Sequence, residues 1–63
     1  MTLPELRELA AYHAEVASML KTAAELPGPV GADATARRVR HEYWAAELGR
    51  LADAFQTFST LSS

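Results

Sequence analysis

His13 and His41 are the two imidazoles of the chain, and each falls at helical spacing on an apolar row where leucine would ordinarily stand. A pair so placed has two chemistries open to it, metal ligation and a proton-linked switch near neutral pH. The spacing speaks against a metal. Carboxylate-bridged helical bundles use Glu-x-x-His on facing helices, whereas Ala10 stands three residues before His13 and Arg38 three before His41. The run "HEYWA" (41–45) has Ala45 where a helical zinc motif needs its second histidine. We therefore expect no metal and no cofactor, and read both histidines as polar core positions that bond to a neighbour and fix register. With the turn centred near Val30, His13 lies level with residues 44–47, which makes Glu47 its expected partner. A pH-sensitive interface is the alternative.

The one basic cluster is "RRVRH" (37–41). A nucleic-acid surface wants several cations on one face, with aromatics to stack on bases. Here Arg37, Arg38 and Arg40 spread over roughly 160° of a helical wheel, and Arg38 has Glu42 one turn on. Solvated or ion-paired surface is the expectation, with contact to phosphate or an acidic partner through these three arginines as the alternative. That alternative predicts binding that weakens steeply with salt. Six Lys/Arg against eight Asp/Glu, a net charge of -2, lend phosphate no global attraction.

Catalytic machinery is hard to assemble from what remains. There is no cysteine, and no serine sits where a histidine-paired nucleophile could be argued. Gly28 and Gly31 are split by proline and lack the Lys-Ser/Thr of a phosphate-cradling loop. Glu8, Glu15, Glu25, Glu42 and Asp53 fall on outer faces, where they solubilise. The expected class is not an enzyme.

The elements that must carry these residues are helices. Thr2 with Glu5 three residues on reads as a capping box, and Pro4 is tolerated in a first turn whose amides have no helical partner. A first helix is expected over about 3–26, a turn over 27–32 through "PGPVG", and a second helix over about 33–60 with Asp33 at its start. Asp33 to Arg37 and Arg38 to Glu42 are supporting pairs at i,i+4. Neither strict alternation nor a β-branched run appears, so the fold class is all-α: a two-helix antiparallel hairpin over residues 1–63.

Each helix has too much apolar circumference for one partner. In the first, Leu6, Leu9, His13, Val16, Leu20 and Ala23 form a seam flanked by Ala10, Ala17 and Ala24 on one side and Tyr12, Met19 and Leu26 on the other. In the second, His41, Trp44, Leu48, Leu51, Phe55 and Phe58 form the seam, flanked by Ala45 and Ala52 and by Tyr43, Ala54 and Leu61. Both arcs span roughly 200°, about twice what one core needs. Trp44, Phe55 and Phe58 read as core rather than as a ligand box. Val39, Tyr43 and Ala46 form a separate short strip, a rim of the oligomer or a stripe for a different partner helix.

A domain of 63 residues with no disulfide is marginal alone. The expected remedy is a second copy, giving a homodimeric four-helix bundle with the alanine edges at close helix approaches. Its interface would draw on Leu6, Leu9, Tyr12, His13, Val16, Met19 and Leu20 of the first helix and on His41, Trp44, Leu48, Leu51, Phe55 and Phe58 of the second. No stretch nears the ~18 apolar residues of a membrane span, and no signal peptide is read at the N-terminus, so a cytoplasmic setting is expected. Function follows the architecture: a protein–protein interaction or assembly module.

Overall fold

The computed structural model of the protein describes residues 1–62; Ser63 lies outside them. Two helices, α1 (Leu3–Ala24) and α2 (Gly28–Ser62), pack against each other as an antiparallel hairpin, with the longer α2 running on past the start of α1. Among the described residues there is no strand, and no helix is long and apolar enough to cross a membrane.

The start of α1 is fixed locally. Glu5 donates its backbone N–H to Thr2 Oγ1 (3.3 Å), and Thr2 donates its own to Glu5 Oε1 (3.1 Å), closing the capping box. At the other end the last turn tightens. The Glu25 amide donates to the Thr22 carbonyl and the Leu26 amide to the Ala23 carbonyl, both at 3.1 Å.

The connection is shorter than expected, and the difference lies in its glycines and prolines. Helix α1 ends at Ala24 rather than near residue 26, and α2 begins at Gly28 rather than near 33. Gly28 adopts φ +75, a left-handed conformation that favours glycine, and this reverses the chain in very few residues. Pro29 then occupies the first turn of α2, where its missing N–H costs nothing. Gly31 is buried against the carbonyl of Leu26, which a Cβ would overlap. Asp33 therefore lies inside α2 and does not cap it; its carboxylate accepts from Arg37 Nε (2.8 Å).

Which faces meet is decided by small side chains. The buried positions are Leu6 and Ala17 on α1 and Gly31, Ala34 and Ala52 on α2. Between them, Ala10, His13, Leu20 and Ala24 face Arg38, His41, Ala45 and Leu48, all half-buried. Both rows keep alternating spacings of three and four, the pattern of antiparallel helices in close register. The alanine edges, expected at close approaches in the bundle, thus form the seam inside the hairpin. The aromatic row of α2, expected as core, stands outside it: Trp44, Leu51, Phe55 and Phe58 are exposed. Small residues let the axes approach, and the larger side chains beside them are left projecting.

The result is a rod of 53 × 14 × 13 Å. Its radius of gyration is 14.9 Å, against about 11 Å for a compact chain of this length. It exposes 4666 Å², where a compact protein of 6.8 kDa exposes about 4,000 Å².

Candidate protein-interaction face

The polar flanks of the two helices meet on one side of the hairpin. Arg7 Nη2 donates to Asp53 Oδ1 (3.3 Å) and to Gln56 Oε1 (2.6 Å) across the helices. Further along, Ser18 and Lys21 of α1 line a shallow groove with Arg38 and Glu42 of α2. With these flanks on one side, the opposite flanks of both helices must share the other. That second side is apolar. Helix α1 contributes Leu9, Tyr12, Val16 and Met19, and α2 contributes Trp44, Leu48, Leu51, Phe55 and Phe58. Leu9, Val16 and Leu48 are half-buried at its floor, whereas Tyr12, Met19, Trp44, Leu51 and Phe55 are open to solvent.

Beyond the start of α1 the face runs on along α2 alone. There Phe58 is 72% exposed and Leu61 82% exposed. Leu26 and Val30 are exposed at the turn end. Together these side chains form an exposed apolar stripe along one side of the rod.

The histidines sit on the seam bordering this face. His13 Nδ1 and His41 Nδ1 lie 2.8 Å apart, with ring centroids at 5.0 Å, and Tyr12 meets His13 edge-on at 5.3 Å. Glu47 is not the partner of His13; it accepts from Arg50 one turn along its own helix. The cause is the early turn, which places residue 41 rather than residues 44–47 level with residue 13. Both histidines are polar positions bonded to a neighbour across the hairpin, as anticipated, but the neighbour is the other histidine. Among the described residues no group of three or more His, Cys, Asp or Glu is placed to hold a metal.

The basic run is divided. Arg37 pairs with Asp33 and Arg38 with Glu42, each at 2.8 Å, while Arg40 has no ion-pair partner among the described residues. On α1, Glu8 and Glu15 are likewise without an ion pair. Of the thirteen residues expected at an oligomer interface, Leu6 is already buried inside the hairpin, and His13 and His41 are engaged with each other. Leu20 is half-buried in the seam between the helices, and the remaining nine line the face or its floor. The cross-helix link from Arg7 to Asp53 was not legible in the sequence, because pairing that far apart depends on the length of the turn.

Comparison with protein-family models, with curated proteins and with solved structures gave no match.

Proposed function

We propose that the chain is a non-enzymatic assembly module whose apolar face packs against the same face of a second copy, making a homodimeric four-helix bundle. One observation carries this. Among the described residues the protomer buries a single side chain larger than alanine, Leu6, while it leaves six large apolar or aromatic side chains of one face open. Helices in proteins owe most of their stability to tertiary packing of an apolar face, and alanine supplies little of it. The surplus of surface over a compact protein of this mass, about 700 Å², is close to the ~800 Å² that each partner buries in a standard interface. Two copies stacked face to face would enclose Trp44, Leu51 and Phe55 in a core and leave the Arg7–Asp53 side in water.

The test is size-exclusion chromatography with light scattering, followed through dilution by circular dichroism. The expected result is a mass of twice 6.8 kDa and helicity that falls as the dimer dissociates. A monomeric mass at micromolar concentration with full helicity overturns the proposal. Nucleic-acid contact through Arg37, Arg38 and Arg40 finds less support, since Asp33 and Glu42 already engage the first two.

A further inference from the structure

Two hairpins stacked through one face can be related by a two-fold axis in either of two directions. An axis along the rods lays α1 over the partner's α2 and brings both turns to the same end. An axis across them lays α1 over α1 and α2 over α2, with the turns at opposite ends. The charges bordering the apolar face distinguish the two.

On the α1 edge that border is acidic. Glu8 and Glu15 are exposed and have no ion pair among the described residues, while the basic residues of α1, Arg7 and Lys21, lie on the polar side. On the α2 edge the uncommitted charge is Arg40, because Arg37 is held by Asp33 and Glu47 by Arg50. The contact of His13 with His41 sets the level of the two helices, and it puts Glu15 within about one residue, or roughly 1.5 Å, of the level of Arg40. An axis along the rods preserves level. It therefore carries Arg40 of one copy to Glu15 of the other, twice per dimer. The crossed axis instead sets the acidic edge of α1 against itself, and like charges so placed oppose association.

Resting on the homodimer proposed above, we infer that the two copies dock with their turns at the same end, clasped by Glu15 of each against Arg40 of the other. The occupant of the face is thus a second copy in one defined orientation, and each protomer supplies the opposite charge that Glu15 and Arg40 of the other lack.

The experiment combines an orientation probe with a charge exchange. The chain has no cysteine, so Ala32→Cys at the exposed turn end gives a single spin-label site. Same-end docking predicts label separations of a few helix diameters, about 20–30 Å. Opposite-end docking predicts a separation approaching the 53 Å length of the rod. In parallel, Glu15→Arg or Arg40→Glu alone should weaken the dimer about tenfold at low salt. The double variant should restore it, and the effect should shrink in 1 M salt. A dimer with distant labels overturns the orientation while leaving the homodimer intact. Close labels with single variants that associate normally overturn the clasp. A wild-type chain that is monomeric, or whose face takes only a different protein, overturns both proposals.

Discussion

The Nδ1 atoms of His13 and His41 face each other at 2.8 Å across the hairpin. At that distance one nitrogen donates its N–H and the other accepts through its lone pair, so the two rings must take complementary tautomers. Charging both imidazoles would set N–H against N–H and break the bond. The contact also fixes register, because the mean of 13 and 41 is 27, which puts the centre of the hairpin at Pro27. In four-helix packing about an axis along the rods, both copies of this pair fall at one level of the bundle.

Removing one histidine should cost more than removing both. His13→Leu leaves His41 Nδ1 without its partner in a half-buried seam, an expected loss of about 1 kcal/mol, toward the low end for an orphaned polar group. The double change to leucine replaces both groups by apolar surface and should be close to neutral or stabilising. Chemical denaturation of the two single variants and the double variant measures the coupling. Strictly additive losses would show that the bond contributes nothing net.

The glycines are predicted to respond in opposite directions. Ala at Gly31 would drive a Cβ into the Leu26 carbonyl, with the Ala24 carbonyl 3.4 Å away, so Gly31→Ala should cost about 3 kcal/mol or more. Gly28→Ala should cost about 1–2 kcal/mol because of the left-handed backbone there. Gly49 lies in the middle of α2 with nothing within 4 Å of a built Cβ, and Gly49→Ala should gain about 1 kcal/mol. Thermal melts by circular dichroism decide; a Gly31→Ala variant as stable as wild type would refute the close approach at the turn.

The contrast among these glycines also marks what the sequence made legible. The capping box at Thr2 and Glu5 and the pairs Asp33–Arg37 and Arg38–Glu42 follow from local spacing, and all three are present. The two-helix architecture follows from the proline–glycine interruption. The turn did not, because "PGPVG" reads as a loop by composition, whereas Pro29 and Gly31 fit the first turn of a helix. That shift moved every cross-hairpin partner, so His13 met His41 instead of Glu47. Nor does a helical wheel say which part of a 200° arc a neighbour will take; close packing favoured the alanines and left Trp44 and Phe55 outside.

Alanines of the seam should therefore be less tolerant of enlargement than the face is of truncation. Ala17→Leu and Ala52→Leu each overfill a contact between closely spaced helices, at an expected 1–3 kcal/mol. Met19→Ala removes a side chain that is 68% exposed in the protomer and touches the seam little. Its expected effect is on association, seen as a raised midpoint for dissociation on dilution. Equal losses of thermal stability at fixed high concentration for Ala17→Leu and Met19→Ala would contradict this division.

The start of α1 should carry a pH signature of its own. The side chain of Thr2, and after it the Thr2 backbone, hold the Glu5 carboxyl below its ordinary value near 4.5. Negative charge there also suits the positive end of the helix dipole. Because the folded value is the lower one, ionised Glu5 favours the helix, and its contribution is fully present above about pH 4.5. It is lost as the pH falls through the lowered value. Carboxyl-detected NMR titration should find Glu5 titrating below its ordinary value, and Thr2→Ala should move it back upward. Glu5→Gln keeps an acceptor for the Thr2 amide but removes the titration, so acid-induced fraying of the first turn should vanish in that variant. A Glu5 that titrates at its ordinary value, unaffected by Thr2→Ala, would mean that the capping box does not hold in solution.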